Sequence, residues 1–195
     1  LLDQKFILKK YFGNLKDNLN NVKNNLLRAA KNNNIIITAG GASVGDEDHL
    51  ISALSDLGNI YFWKAAIKPG RPIAIGKINN CYVICLPGNP VSVQLLYSML
   101  INPFIEMLAG GIFKLPSSNK IAANFNMKKK TKRMEWLRVI KNTINNKDFA
   151  IKYPKQGSGM ISSISYSDGI IEIQESVSEI KKGDIFDFYD FESLF

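Results

Sequence analysis

The sequence predicts an α/β domain with a mostly parallel, three-layer sheet, followed by a small all-β, barrel-like domain. In the first half, β-branched runs such as Ile35–Ile37 alternate with segments whose apolar residues recur at helical spacing. In the second half, short apolar runs are separated by turn residues, and no long amphipathic helix is evident. The stretch from Gly110 to Ser118 is typical of a linker, so the domains are predicted at residues 1–111 and 117–195.

Caps, periodicity and turn residues predict the elements of the first domain. The first are a weak strand at Lys5–Lys9, a helix capped by Asp17 with Leu19, Val22, Leu26 and Ala30 on its apolar face, and a strand at Ile35–Thr38. Then come a helix at Asp46–Leu57 ended by Gly58, a strand at Ile60–Ile67, and a hairpin of Ile73–Gly76 and Cys81–Leu86 across Asn79-Asn80. Strands at Ile35 and Ile60 are expected to run parallel, with Ile73 running back and Cys81 forward again.

A last helix is predicted from Pro90, with Asn89 as its N-cap, because a missing N–H costs nothing at the first helical position. Asn102-Pro103 predicts a kink or restart in this helix. In the second domain, strands are predicted at Lys120–Phe125, Glu135–Lys141, Phe149–Tyr153, Ile161–Ile164, Gly169–Gln174 and Ile185–Tyr189.

Composition limits the class of protein. With 46% hydrophobic residues over 195 positions, the chain can bury a sizeable core. Its apolar runs are shorter than the roughly 18 residues of a membrane span, and no signal peptide is evident. We therefore expect a cytoplasmic protein without a membrane partner. Cys81 and Cys85 are expected to be buried, reduced thiols on one strand face, and the single His49 cannot build a His-based zinc site.

The net charge of +8 includes a dense cationic run at Lys128, Lys129, Lys130, Lys132 and Arg133. The run has neither the helical context nor the interleaved aromatic residues typical of nucleic-acid binding, so no nucleic-acid partner is expected. Two interpretations stay open. The run is either a solvated strand edge or part of a site that binds a small anionic ligand.

Three loops are predicted at one edge of the sheet, where its forward strands end. They are Gly40–Asp48, Lys68–Pro72 and Pro87–Ser92. Ligands of open α/β sheets bind at the carboxyl ends of the strands. The first loop is rich in glycine and precedes a helix, an arrangement that suits a phosphate or another oxyanion. Either glycine loop alone is also typical of an ordinary tight connection.

Three motifs in this order resemble the molybdopterin molybdenumtransferases, the family of MoeA and the gephyrin E domain. They are T-x-G-G-x-S-V-G-D-x-D from Thr38, F-W-K-x-x-x-K-P-G-R-P from Phe62, and L-P-G-N-P-V-S from Leu86. The resemblance implies a molybdopterin-binding domain and a C-terminal β domain. It also implies insertion of molybdenum from molybdate into adenylylated molybdopterin, with Mg²⁺ and release of AMP.

The resemblance implies the site residues as well. Asp48 matches the aspartate tied to cleavage of the adenylyl anhydride and is a candidate Mg²⁺ ligand, whereas Asp46 at a helix start could equally be a cap. The implied substrate-binding residues are Gly40, Gly41, Ser43, Gly45, Lys68, Gly70, Arg71, Pro87, Gly88, Asn89 and Ser92. Molybdate is assigned to Lys68, Arg71, Ser92, Arg133 and Ser158.

Two positions depart from the family pattern. Arg71 stands where a lysine is common, and Lys132 replaces the glycine of a G-R-x-x-F-x-R motif that Arg133 and Arg138 continue. For Arg138, a site residue and a surface strand residue stay open as interpretations.

Family members carry further N-terminal domains, and a strand and helix before the position of Leu1. We therefore expect the C-terminal portion of such a protein, of low activity alone and homodimeric at full length. An adenylyltransferase-type domain, which should lack the β domain, and a non-catalytic scaffold are the alternatives.

Overall fold

The structure is a computed structural model that describes residues 8–40, 49–157 and 159–195. Its first elements are α1 (Leu19–Ala30), β1 (Ile35–Ala39), α2 (His49–Leu57), β2 (Asn59–Trp63), β3 (Ile67–Lys68), β4 (Ala74–Ile78) and β5 (Cys81–Leu86). Next come α3 (Pro90–Leu96), a π-helical segment (Tyr97–Ile101) and α4 (Asn102–Leu108). The others are β6 (Asn119–Ala123), β7 (Met127–Lys128), β8 (Met134–Ile144), β9 (Lys147–Lys152), α5 (Ser162–Ser165), β10 (Gly169–Ile173), β11 (Glu179–Ile180), β12 (Ile185–Asp190) and α6 (Phe191–Leu194).

The chain forms two compact units that interleave along the sequence. The first comprises Leu1–Ala65 and Arg71–Gly88, and the second comprises Ala66–Gly70 and Asn89–Phe195. The short segment Ala66–Gly70 thus leaves the first unit and belongs to the second. This arrangement differs from two consecutive domains, because β3 pairs with β8 rather than with a strand of the first unit.

The first unit contains a four-stranded sheet in the order β1-β5-β4-β2. β1 and β5 are parallel, β4 is antiparallel to β5, and β2 is antiparallel to β4. Consequently β1, β2 and β5 run in one direction and only β4 opposes them, as predicted. The predicted α/β class, followed by a small barrel, is confirmed.

Helices α1 and α2 bury their apolar faces on one side of this sheet. Val22 and Leu26 of α1 and Leu54 of α2 share a buried cluster with Val83 of β5. Ile84 and Leu86 alternate with these strand residues, point to the opposite face, and are 0% and 2% exposed. β5 is therefore buried on both faces, which explains its continuous apolar sequence.

The expected cysteine chemistry is confirmed. Cys81 and Cys85 are free, buried, and lie on the face of β5 that meets the α1 and α2 helices. Burial raises the pKa of the Cys81 thiol, which disfavours the reactive thiolate.

Two details of the first domain were predicted wrongly. The cap of α1 is Asn18 rather than Asp17, because Asn18 Oδ1 accepts hydrogen bonds from the backbone N–H groups of Asn20 and Asn21. The run Ile60–Ile67 is not one strand, because the backbone leaves the sheet at Lys64, whose φ is 69°. The predicted end of α2 at Gly58 is confirmed, because the helix ends at Leu57; in addition, a Cβ at Gly58 would overlap the Lys77 carbonyl oxygen of β4.

The second unit contains the predicted barrel. β10, β12, β6, β9 and β8 pair in this order, and β8 also pairs with β10, which closes the ring. Ile121, Leu137, Ile171 and Phe188 are among the residues that fill its core. The β8–β9 hairpin turns at Asn145 and Asn146, whose φ angles of 50° and 58° are those of a type I′ turn.

The strand predicted at Ile161–Ile164 is wrong, because a short helix, α5, occupies Ser162–Ser165. The short strands β7 and β11, which pair with each other, were not predicted, since two-residue strands leave no alternating pattern.

The predicted restart at Asn102-Pro103 is confirmed. Pro103 has no N–H, and the helix widens before it, so that the Asn102 N–H donates to the Tyr97 carbonyl five residues back. By length and composition, Pro90–Leu108 could cross a membrane, with 19 residues and a mean hydropathy of 1.3. However, 56% of that stretch is buried within the protein, and the core helix of a soluble protein passes the same test. The match is therefore weak evidence for a membrane span.

The contact of Gly58 with β4 gives a test of the fold. Gly58→Ala should lower the free energy of unfolding by about 2 kcal/mol, because the added methyl group must displace the Lys77 backbone. Chemical denaturation followed by circular dichroism measures this change. Ser52→Ala, on the exposed side of α2, is the control and should change stability by less than about 0.5 kcal/mol. Equal stabilities for the two variants would contradict the packing described.

Candidate functional site

The structure describes only some of the predicted site residues. Six of them lie outside the residues that the structure describes: Gly41, Ser43, Gly45, Asp46, Asp48 and Ser158. The roles predicted for these six stay predictions.

In the first unit, the two glycine loops meet through their backbones. β1 and β5 are parallel with Ala39 opposite Leu86, so the loops that follow them begin side by side. The Gly40 N–H donates to the Leu86 carbonyl at 3.0 Å. A Cβ at Gly88 would lie 3.5 Å from the Gly40 Cα. Gly40 has a φ of 89°, in the left-handed region that glycine adopts without strain.

This contact brings together Gly40, Pro87 and Gly88 of the predicted substrate-binding residues. Pro87 is buried and Gly88 is exposed. Gly40 is half-buried, and since neither glycine carries a side chain, both contribute only backbone at the carboxyl ends of β1 and β5. A backbone surface of this kind lets a phosphate approach closely, while the Gly40 N–H itself is bonded to the Leu86 carbonyl.

In the second unit, the predicted cation Lys68 forms an ion pair with a buried carboxylate. β3 runs parallel to β8 with Lys68 opposite Glu135, and the Lys68 Nζ lies 2.8 Å from Glu135 Oε1. The Glu135 side chain is 9% exposed and that of Lys68 is 52% exposed. The buried carboxylate therefore fixes the ammonium group while leaving half of the lysine side chain open to solvent.

Gly70 and Arg71 follow Lys68 and differ in environment. Gly70 has a φ of 117°, and a Cβ there would lie 3.0 Å from Cδ1 of Leu96 on α3. Glycine is thus required at this position by conformation and packing. Arg71 belongs to the first unit, where its side chain is exposed and its carbonyl accepts a hydrogen bond from the Ala65 N–H.

Asn89 and Ser92 lie at the start of α3. Asn89 occupies the cap position through its carbonyl, which accepts from the Val93 N–H at 3.0 Å, but its side chain forms no capping bond, contrary to prediction. Instead, the Asn89 Nδ2 lies 3.9 Å from where a Cβ of Gly159 would be. Ser92 is 3% exposed.

The cationic run is largely exposed, but one of its lysines has a structural role. Lys129 Nζ donates to the carbonyls of Gln174 and Val177, at 3.0 and 3.2 Å. Arg133, predicted to bind molybdate, is exposed. Lys132, at the position where the family has glycine, has a φ of 77°. The turn expected of glycine is therefore kept with a lysine in it.

Arg138 is not a surface strand residue, because it is only 2% exposed. Its Nη2 lies 3.5 Å from the Gly157 carbonyl oxygen. Burial lowers the pKa of the Arg138 guanidinium, and the nearby charge of Glu135 opposes that shift. The Arg138 backbone is bonded on both sides by one side chain, since Gln156 Oε1 accepts from its N–H and Gln156 Nε2 donates to its carbonyl.

Sequence reasoning missed Glu135 and Gln156. A signal for Glu135 existed, because it stands in the apolar first half of β8, which is buried from Glu135 to Val139, and a buried charge needs a partner. Gln156 gave no signal, since only the folded turn shows its bonds.

The residues that the structure describes form no candidate metal centre with three or more ligands. Within them, no three His, Cys, Asp or Glu side chains are placed to hold an ion together. The predicted Mg²⁺ ligand, Asp48, is not among those residues, so no chemical step is assigned to a metal here.

The parallel pair β1–β5, the helices packed on its sheet and the closed barrel define the class of this protein as an α/β protein with an added barrel. Residues 4–107 match the family described as "Probable molybdopterin binding domain", and residues 120–191 match the "MoeA C-terminal region (domain IV)". The chain belongs to this molybdopterin-binding family, with a MoeA-type C-terminal region after it.

Similar proteins agree with this membership. A molybdopterin molybdenumtransferase of Haemophilus influenzae is 32% identical over 88% of this chain and 43% of its own length. Gephyrin of Dictyostelium discoideum is 33% identical over 50% of the chain and 16% of its own length. A crystal structure of a molybdopterin biosynthesis MoeA protein from Pyrococcus superposes with a TM-score of 0.71 at 25% identity, covering 91% of this chain and 42% of that one. The chain thus spans less than half the length of these relatives.

The turn at Lys132 generates a stability prediction. Lys132→Gly should leave the free energy of unfolding unchanged or raise it by up to about 1 kcal/mol, because glycine adopts this φ without strain. Lys130→Gly, in the same exposed run but without a positive φ, should lower it by about 0.5–1 kcal/mol. Denaturant titrations of both variants measure the difference. A loss of stability in Lys132→Gly as large as in Lys130→Gly would show that the turn carries no strain.

Proposed function

We propose that the protein containing this chain inserts molybdenum from molybdate into adenylylated molybdopterin and releases AMP, with Mg²⁺ as cofactor. The observation that carries this proposal is the backbone contact of Gly40 with Gly88 in a molybdopterin-binding family member. Molybdopterin bears a phosphate and its activated form a phosphoanhydride. Both groups suit glycine loops that present N–H donors.

In the proposal, the two glycine loops bind the pterin phosphate. Gly40, Gly41, Ser43 and Gly45 of the first loop act with Pro87, Gly88 and Asn89 of the second. The close approach of Gly40 to Gly88, of which Gly88 is exposed, supports this assignment, because neither residue has a side chain of its own that a ligand would have to displace.

Molybdate is a dianion, so its site needs cations and hydrogen-bond donors. We assign these to Lys68, Arg71, Ser92, Arg133 and Ser158, with Gly70 shaping the turn between the first two. For Lys68 the support is its ion pair with Glu135, which fixes the ammonium group in one place before the ligand arrives.

Asp48 is assigned to cleavage of the adenylyl anhydride and to Mg²⁺, with Asp46 as a second acid. A carboxylate beside a phosphoanhydride can hold Mg²⁺ or orient a water molecule. These roles rest on the position of both residues in the G-D-E-D sequence.

The remaining assignments concern the whole protein. We propose a cytoplasmic homodimer that takes small-molecule substrates and to which this chain contributes its molybdopterin-binding and C-terminal regions. The chain alone should have low activity, because it spans only 43% of a matched molybdenumtransferase. A domain of the adenylyltransferase type is disfavoured, since it should lack the barrel that follows here.

The glycine contact can be tested in the full-length protein. Gly88→Val should raise the KM for adenylylated molybdopterin at least about tenfold, because the side chain would cover the backbone that the phosphate must approach. The fold should survive, since the Cβ has ordinary contacts and Gly88 has no positive φ. Steady-state kinetics and a thermal melt measure the two effects. An unchanged KM in a folded variant would remove this loop from the substrate site.

The chemical step has its own test. Asp48→Asn in the full-length protein should reduce molybdate-dependent AMP release by about 100-fold, because the carboxylate needed at the anhydride is lost. Asp56→Asn, which removes only the ion pair of α2 with Lys23, is the matched control and should leave AMP release unchanged. Undiminished release from Asp48→Asn would exclude this role. No AMP release from the wild-type protein would instead favour a non-catalytic scaffold.

A further inference from the structure

Trp63 and Lys64, at the end of β2, form an exposed stack of a cation on an aromatic ring. The Lys64 Nζ lies 3.9 Å from the centre of the Trp63 ring. Trp63 is 40% exposed, although an indole is among the side chains whose burial stabilises a fold most. The pair stands in the F-W-K-x-x-x-K-P-G-R-P motif, so an exposed indole and its cation accompany the candidate site in sequence.

The backbone holds Lys64 in this position at a conformational cost. Its φ of 69° lies in the left-handed region, which residues with a side chain adopt rarely. The Lys64 N–H donates to the Ile73 carbonyl at 3.0 Å, and this bond fixes the turn. A second bond, from the Ala65 N–H to the Arg71 carbonyl at 2.9 Å, continues it. Strained residues that are fixed in this way cluster at ligand sites.

The sheet places Trp63 at the edge where the glycine loops begin. Trp63 is opposite Ala74 of β4, and Ala74 is opposite Cys85 of β5. β2 and β5 run in the same direction, and Gly88 follows Cys85 by three residues. Two strand spacings, about 10 Å, separate β2 from β5. A nucleotide whose phosphate is held at Gly88 can bridge such a distance with its ribose and base.

The register also defines the face of the sheet on which the indole lies. Ala74 belongs to the buried cluster that α1 and α2 form with the sheet. Residues directly opposite each other on neighbouring strands have side chains on the same face. Trp63 is therefore on the face that carries α2, the helix that follows the first glycine loop in sequence.

An exposed indole with a displaceable cation suits a planar heteroaromatic ring. Stacking a base on an aromatic side chain is worth about 5- to 150-fold in affinity, whereas an exposed cation–π contact is worth about two- to fivefold. A base can therefore take the place of the Lys64 ammonium over the ring. In adenylylated molybdopterin the adenine is flat and aromatic, whereas the pterin is fused to a puckered ring, so the adenine is the better stacking partner.

We propose that Trp63 is a stacking platform for the adenine ring of the adenylylated substrate and of the AMP that is released. This inference rests on the proposed function for the identity of the nucleotide. Lys64 occupies the ring in the absence of ligand, and the base replaces it on binding. If the pair were only a surface contact, its loss would leave the affinity for AMP unchanged.

The test measures the binding of AMP and of ribose 5-phosphate to the full-length protein by isothermal titration calorimetry. The two probes share the ribose and the phosphate and differ in the base. Trp63→Leu should weaken AMP binding at least tenfold and change ribose 5-phosphate binding less than twofold, because only AMP has a ring to stack. Trp63→Phe keeps an aromatic ring, so its affinity for AMP should lie between those of wild type and Trp63→Leu.

Tyr61→Leu is the matched control, since Tyr61 is an aromatic residue of the same strand and is 61% exposed. It should change the affinity for AMP less than twofold. An unchanged affinity for AMP in Trp63→Leu overturns the inference, as does an equal loss for AMP and ribose 5-phosphate. A loss of affinity for pterin-6-carboxylate without a loss for AMP also overturns it, because the ring on the platform would then be the pterin.

Fluorine NMR of protein labelled with 5-fluorotryptophan gives a readout that does not depend on the folding of Trp63→Leu. The resonance of Trp63 is the one that is missing in Trp63→Phe. AMP should shift this resonance and ribose 5-phosphate should leave it in place. If AMP also leaves it in place, the inference fails.

These binding measurements are independent of the molybdenum chemistry. If the wild type releases no AMP in the presence of molybdate, the proposed function fails, whereas stacking of AMP on Trp63 can still be observed. If AMP release is normal and Trp63→Leu binds AMP as tightly as the wild type, only the platform fails.

Discussion

Two residues of β3 pair with β8, and the ion pair of Lys68 with Glu135 secures this pairing. The pairing determines the position of the cationic motif Lys68–Pro72. The motif belongs by sequence to the α/β half, yet its lysine is a neighbour of the barrel strand. The left-handed Gly70 and its contact with Leu96 complete this short excursion of the backbone. Without the pairing, Lys68 would be a flexible surface lysine with no defined position.

The pair also shows how the second unit distributes charge. A half-exposed lysine bound to a buried carboxylate loses little hydration and gains a fixed position. Arg138 presents the opposite case, since it is buried and has no carboxylate bonded to it among the described residues. Proteins tolerate such local violations of good packing mainly at functional sites. The barrel therefore holds two buried charged side chains, Glu135 and Arg138, within its apolar core.

The sequence predicted most of the architecture, because periodicity and turn chemistry agree over long stretches. The Cys81–Leu86 strand, the Asn79-Asn80 turn and the restart at Asn102-Pro103 each follow from local rules. Where the predicted strand Ile60–Ile67 failed, a long-range contact decided the outcome. Ile67 pairs with Met134 of β8, and this contact leaves no mark in the local sequence.

The candidate site residues that belong to sequence motifs could be predicted from the sequence. Gly40, Gly88 and Lys68 stand in motifs, and the structure gives each a defined geometry. Glu135 and Gln156 act through partners on other segments, so no motif of their own reveals them. Arg138 could not be separated from a surface residue by sequence alone, because alternation along a strand does not tell which outer face is covered.

We propose that the Lys68 ammonium, fixed by its ion pair with Glu135, binds an oxyanion. Crystals of the full-length protein soaked in sodium tungstate, with data collected at a tungsten absorption edge, test it most directly. We expect an anomalous peak within hydrogen-bonding distance of the Lys68 ammonium. A peak only at the exposed lysines of residues 128–132, or none, would contradict it.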